Sequence, residues 1–193
     1  MRTFEIRIAV SNSHVHLSRE DTRHLFGVDE VDGGLDQGHA KFLKSGDTVA
    51  LLGPRATIER VRVLTPSTKE TWVELNRTHA FILGVRPPLE EGELPDGPLT
   101  IRGPKGELAV SRNVVIEARH LEVTRDEARR WGLEPGQLVS AELGGPRALL
   151  FKNVKVRVLD TAKDTFEGNL EIDRDEANAA MVMSGDRARI VVE

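Results

Sequence analysis

A short pattern is written four times along this 193-residue chain, and that repetition constrains the fold more than any bulk property. Residues 14–25, HVHLSREDTRHL, align without gaps to residues 120–131, HLEVTRDEARRW. His14/His120, Arg19/Arg125 and Arg23/Arg129 are identical, and Leu17/Val123, Ser18/Thr124, Glu20/Asp126 and Asp21/Glu127 are close substitutions. Two weaker copies open with ELNR at Glu74–Arg77 and EIDR at Glu171–Arg174. Every copy has His or Glu, an aliphatic residue, a helix-capping residue (Ser18, Asn76, Thr124 or Asp173), then Arg. The capping oxygens can accept from an orphan backbone N–H, and acids three positions on (Asp21, Glu127, Glu176) suit a helix N-terminus. Gly27, Gly84, Gly132 and Gly185 stand near the expected helix ends. Each copy therefore predicts a strand end, a turn and a short helix.

The segments between the copies are short, rich in Val, Ile and Leu, roughly alternating, and punctuated by Gly or Pro: DTVALLG, ATIERVRVL, LTIRG, NVVIEA, LVSAEL, VKVRVL and RARIVV. Turn signals this frequent favour barrels over a doubly wound sheet. The chain is expected to be mainly β, an internally duplicated pair of tandem small β-barrels with short capping helices. The seam near residues 112–116 gives halves of 1–113 and 114–193, with terminal strands free to exchange between them. Pro87–Pro98 reads as an exposed loop.

Composition removes several function classes. There is no cysteine, so disulfides, a thiol nucleophile and thiolate zinc ligands are excluded together. The 27 basic and 31 acidic residues give a net charge of −4, and the aromatics are six Phe, two Trp and no Tyr. Neither a polyanion-binding surface nor a base-stacking platform follows, so no nucleic-acid partner is expected, although a local basic pocket for a phosphorylated ligand is allowed. No apolar run reaches membrane-spanning length and MRTFEIRI reads as a strand, so a cytoplasmic protein with no membrane partner is expected.

The repeat also aligns the chemistry. Two residues before each cap stand His16, Glu74, Glu122 and Glu171, all able to ligate a metal. Two positions earlier, on the same face of an extended strand, stand His14, Trp72, His120 and Asn169. The halves would thus supply His14, His16 and Glu74 from one, and His120, Glu122 and Glu171 from the other. A His/His/Glu set is a catalytic zinc shell that leaves one position open for water or substrate. An isolated H-x-H on a strand is usually incidental; the repeat is what favours a metal for the first set. For the second set a metal competes with a carboxylate–arginine network involving Arg119, Arg125 or Arg174.

Bland readings suffice for His24 in an exposed helix and His39 in a Gly-rich loop, while His79 could support the ligands. LLGPRATIERV and IRGPKGELAV each place Gly-Pro-basic between strands. Either these are plain turns led by Pro, or Arg55 and Lys105 edge an anion pocket.

Together VSNSHVHLSREDTRHLFG, TWVELNRTHAFILG, EARHLEVTRDEARRWGLEPGQLVSAEL and IDRDEANAA resemble the PduL-type phosphotransacylases (phosphate propanoyltransferases), over about residues 5–192. The resemblance implies tandem β-barrels, a two-metal site containing zinc, and transfer of an acyl group between coenzyme A and phosphate. By position, His14, His16 and Glu74 match the residues that hold one zinc in the family. The family's second site is three histidines; His120 matches the first, whereas Glu122 and Glu171 stand at the others. Thr68 stands where the family usually carries an arginine, with Lys69 next to it. Two carboxylates in place of two imidazoles would make a weaker Lewis acid and favour harder metals such as Mn²⁺ or Mg²⁺.

The expected function is a phosphate acyltransferase interconverting short-chain acyl-CoA and phosphate with acyl phosphate and CoA, by direct attack of bound phosphate on the thioester. Lys69, Arg77 and Arg119 are the candidates for orienting phosphate, and Arg55, Phe81 and Lys105 for binding substrate. A homologue with altered or lost transfer, either a metal-dependent hydrolase or a non-enzymatic binding protein, is the alternative. A homo-oligomer is allowed. Family members bound for microcompartments tend to carry an N-terminal amphipathic extension; the first strand here starts by about Thr3, so encapsulation by that route is not expected.

Overall fold

Alternation sets the first strand: in RTFEIRIAVS, Ile6 and Ile8 are buried while Glu5 and Arg7 face solvent. The computed structural model describes residues 2–29, 41–42, 48–89, 97–159 and 167–192. In chain order the early elements are β1 (Arg2–Ser11), β2 (His14–Ser18), α1 (Arg19–Phe26), β3 (Lys41–Phe42) and β4 (Thr48–Leu52). Then come β5 (Thr57–Thr68), β6 (Trp72–Leu75), α2 (Arg77–Leu83), β7 (Leu99–Arg102), β8 (Glu107–Val110) and β9 (Val114–Ile116). The last are β10 (His120–Thr124), α3 (Arg125–Trp131), β11 (Leu138–Leu143), β12 (Leu149–Leu159), β13 (Asn169–Asp173), α4 (Arg174–Ala180) and β14 (Arg187–Val192). No helix among the described residues is long and apolar enough to cross a membrane. His39 and residues 90–96 of the expected Pro-rich loop lie outside the described residues.

The chain divides into two units, Asn12–Glu117 and Met1–Ser11 with Ala118–Glu193. The second is a closed barrel in the order β1-β13-β10-β12-β11-β14. The first follows β8-β7-β4-β5-β2-β6-β9, nearly closed, with β3 paired to β5. The mainly β, double-barrel architecture with four short helices is thus the one the repeat implies. Each unit has its own core. One is built on Val15, Leu17, Leu51, Leu75 and Ile101, the other on Ile8, Leu121, Leu143, Leu170 and Ile190. Full burial of each such side chain is worth about 1.5–3 kcal/mol.

The units match strand for strand. β2 pairs parallel with β5 and antiparallel with β6, as β10 pairs with β12 and β13. Closure differs. In one barrel the single strand β1 pairs with β14 through Arg2–Arg7 and with β13 through Arg7–Ser11. In the other unit β8 pairs with β7 and β9 with β6, so two short strands do the work of one. The break between them holds Asn113 at φ 58, a region asparagine visits more readily than most residues, and its amide donates across to Glu70 and the Thr71 carbonyl. In sequence β1 precedes the first copy of the repeat and β8–β9 precede the second. The seam near 112–116 therefore divides the repeats along the chain, whereas the folded units exchange one closing strand each. Phe4 of β1 stacks on Trp131 of α3 with ring centroids 4.0 Å apart, and Arg2 donates to the Gly132 carbonyl at 3.1 Å.

All four expected caps are in place: Ser18, Asn76, Thr124 and Asp173 each accept from the backbone N–H three residues on. Reciprocal boxes form with Glu127 and Glu176. Gly27, Gly84 and Gly132 end their helices in the left-handed region, but α4 ends at Met181 (φ 58) instead of Gly185. Gly185 serves the following turn, where its N–H donates to the Ile8 carbonyl.

Candidate metal centre

The antiparallel register of β2 and β6 sets His14 opposite Glu74 and His16 opposite Trp72. Val15, Leu17, Val73 and Leu75 fill the core, so alternation aims the polar residues to the other face. His14 Nδ1 donates to the Asn12 carbonyl at 2.8 Å, which fixes the tautomer and leaves Nε2 facing the cluster. That Nε2 lies 3.2 Å from His16 Nε2 and 3.2 Å from Glu74 Oε2. Trp72 Nε1 donates to Glu74 Oε1 at 2.8 Å and orients the carboxylate. A tetrahedral ion with bonds of about 2.0–2.2 Å sets its ligands roughly 3.3–3.6 Å apart. Two imidazoles and a carboxylate, with His14 Nε2 3.2 Å from each of the other two donors and all three within 4.8 Å of one another, are a donor set that fits such an ion.

Electrostatics keep the set ready for a cation. Burial, and then the charge of His14, push the His16 imidazole down to about 4, with Glu74 pulling the other way. Burial works to raise Glu74, but the hydrogen bond and charge of His14, the charge of His16 and a hydrogen bond with Glu117 outweigh it. The Glu74 carboxyl is therefore held well below the ordinary carboxylate range.

Stability of the metal-free protein should follow His16. The unfolded chain takes a proton there near 6.5 and the folded chain only near 4, so the unfolded state binds more protons between those values. Stability is expected to fall as pH drops from 6.5 to 4, by at most about 3 kcal/mol. Urea midpoints for metal-free wild type and His16→Gln across that window check this. Wild type should lose stability through it and the variant should lose less; parallel profiles would remove His16 as the cause.

His16 and Glu74 open onto a depression of about 390 Å³ lined also by Thr68, Lys69, Glu70, Trp72 and Asn113. Thr68 Oγ1 donates to the Glu70 carbonyl at 2.6 Å, so its hydroxyl closes a turn. Lys69 is exposed on the same rim, and Arg77 is exposed at the start of α2. Arg55 and Lys105 occupy matching places: their N–H groups donate to the Leu83 and Leu25 carbonyls at 3.1 and 2.9 Å, near the ends of α2 and α1. A Cβ on Gly84 would meet the Arg55 side chain, and one on Gly27 the Lys105 side chain. These cations therefore sit at helix C-termini, where the backbone dipole favours them. The Arg55 guanidinium also lies 5.9 Å from the ring of Phe81, which is 71% exposed.

In the other unit His120, Glu122 and Glu171 occupy the same strand positions, with His120 opposite Glu171 and Glu122 opposite Asn169. His120 Nδ1 donates to the Ala118 carbonyl at 3.0 Å, and Nε2 lies 3.5 Å from Glu122 Oε1 and 3.7 Å from Glu171 Oε2. Arg157 of β12 enters this cluster, with Nη1 3.1 Å from His120 Nε2. Arg119 is engaged by Glu176 at 2.6 Å and by the Phe151 ring at 4.6 Å.

Sequence reasoning did not single out Asn113, Glu117, Arg157 or the Ser13–His79 hydrogen bond at 2.7 Å. Only the repeat could have flagged Arg157, and it lies outside the gapless block.

The phosphate propanoyltransferase family model matches residues 7–183. A phosphate propanoyltransferase of Thermotoga maritima is 40% identical, covering 96% of this chain and 89% of that protein. That of Rhodopseudomonas palustris is 36% identical over 97% of this chain and 82% of its own length, and that of Rhodobacter capsulatus 35% over 90% and 80%. With a family model spanning nearly its whole length and relatives this similar, the chain belongs to the phosphate propanoyltransferase family.

Proposed function

We propose that this chain is a phosphate acyltransferase that interconverts a short-chain acyl-CoA and inorganic phosphate with an acyl phosphate and CoA. Membership of a family whose relatives carry that transferase name supports the reaction class. The observation that carries the local chemistry is the convergence of His14, His16 and Glu74 beside a depression large enough for a thioester and a phosphate. A zinc ion bound by these three residues would polarise the thioester oxygen or stabilise the departing CoA thiolate.

The chain has no cysteine, so the acyl group cannot rest on an enzyme thiol. Transfer is direct: a phosphate oxygen bonds to the thioester carbon, the C–S bond breaks, and the sulfur leaves as thiolate. Trp72 fixes the Glu74 carboxylate, and Asn12 fixes the His14 ring, so both hold one orientation through the cycle. Lys69, on the rim that His16 and Glu74 share, supplies positive charge for phosphate.

The test is thiol release from propanoyl-CoA or acetyl-CoA with and without phosphate, with acyl phosphate trapped as its hydroxamate. Phosphate-dependent release with matching acyl phosphate is expected. Release that ignores phosphate and yields the free acid would replace this reading with a hydrolase.

A further inference from the structure

In each unit the ring of the leading histidine is oriented by the carbonyl two residues before it. His14 Nδ1 donates to the Asn12 carbonyl at 2.8 Å, and His120 Nδ1 to the Ala118 carbonyl at 3.0 Å. That carbonyl lies in the peptide linking it to the residue between, Ser13 or Arg119. In both units the side chain of this middle residue reaches the third residue of the helix that follows the glutamate strand. Ser13 Oγ lies 2.7 Å from His79 Nδ1 of α2, and Arg119 Nε lies 2.6 Å from Glu176 Oε1 of α4. One link is thus made twice, by a hydroxyl and an imidazole in one unit and by an ion pair in the other.

The helix caps show what Ser13 replaces. At α3 and α4 the third residue is a glutamate that accepts from the cap's own backbone N–H: Glu127 from Thr124 at 2.9 Å, Glu176 from Asp173 at 3.4 Å. At α2 that residue is His79, and the Asn76 N–H donates to Ser13 Oγ at 3.0 Å. Asn76 Nδ2 also donates to Asn12 Oδ1 at 3.2 Å, and Asn76 Oδ1 accepts from the His79 N–H at 2.8 Å. Ser13 and Asn76 are 5% and 3% exposed, so these bonds form where water competes little and each is worth more than at the surface. Two of the three metal-ligand candidates are therefore tied together behind the cluster. Asn12 and Ser13 lead directly into His14, and Asn76 follows Glu74 by two residues.

We propose that Ser13 and His79 are positioning residues for the metal ligands: they hold the Asn12–Ser13 peptide so that its carbonyl keeps the His14 ring with Nε2 toward Glu74. The inference rests on the reading of His14, His16 and Glu74 as a metal site given above. Both side chains act through the carbonyl that orients a ligand, and loss of such outer support costs about 10–100-fold in metal affinity.

Zinc affinity and the His14 tautomer test this without reference to turnover. Zinc binding to the folded full chain is measured by competition with a chromophoric chelator, and the tautomer by long-range ¹H–¹⁵N spectra of the metal-free protein. Ser13→Ala and His79→Leu are each expected to bind zinc about 10-fold more weakly and to give His14 a mixture of tautomers in place of the single Nδ1–H form. Ser13→Thr, which keeps the hydroxyl, and His79→Asn, whose amide reaches the place of Nδ1, should restore both readouts to wild-type values. A purely structural role would lower the melting temperature of the variants and leave zinc affinity and tautomer unchanged; that result would overturn the proposal. So would equal weakening in His79→Leu and His79→Asn. Should Ser13→Ala fail to fold, the two His79 variants decide alone. A wild type that binds no zinc would overturn this inference together with the metal reading, whereas wild-type affinity in Ser13→Ala and His79→Leu would overturn this inference only.

Discussion

Replacing His16 by alanine is expected to strip the metal from the protein and to remove phosphate-dependent CoA release with it. His16 is one of three converging donors, and without it His14 and Glu74 remain as a two-point site. Losing even an outer hydrogen-bond partner of a ligand costs about 10–100-fold in metal affinity, and losing a ligand should cost at least the upper end of that range. A Lewis acid contributes several kcal/mol to the charge developing at a thioester, so transfer should drop by about 100-fold or more. Trp72→Phe is the graded control, since it removes only the indole N–H that orients Glu74 and should fall nearer 10-fold. Elemental analysis and the thiol-release assay read both quantities. Transfer at the wild-type rate in a metal-free His16→Ala protein would end the metal reading.

Ile8→Ala should be the most damaging of the conservative core substitutions on the closing strand. Ile8 is 2% exposed and packs in the core of the barrel formed with residues 118–193. Truncating a buried isoleucine costs about 2–5 kcal/mol, because the lost burial is joined by a cavity that neighbours fill only in part. In a chain of this size that lowers the melting temperature by roughly 5–15 °C. The adjacent Arg7→Ala should change little, as Arg7 is exposed and its ion pair with Glu167 is long at 3.9 Å. Amide exchange locates the effect: protection should fall in β13 and β14, the partners of β1, before it falls in β5. Weakening confined to residues 12–117 would contradict the strand exchange.

Much of the site was legible before any coordinates because its signal is local. A strand end, a capping oxygen and a short helix are each specified within a few residues, and repetition exposes equivalent positions. His14, His16 and Glu74 follow from that, and the β2–β6 register puts them face to face. The cations were harder to read. Arg55 and Lys105 are substrate-binding candidates in sequence; that their backbone N–H groups also meet the carbonyls of Leu83 and Leu25 is something no spacing announces. Arg119 is a phosphate candidate and a possible partner for carboxylates in sequence, and only the fold names Glu176 and Phe151 as the groups beside it.

The sequence by itself determined the duplicated β architecture, the four capped corners and the equivalent strand positions of His14, His16 and Glu74, since alternation, capping and repetition all act over short stretches of chain. Only the tertiary structure decided which closing strand completes which barrel, because backbone hydrogen bonds between distant strands carry no side-chain signature. It alone set Arg157 against His120, for that contact depends on the parallel register of β10 and β12.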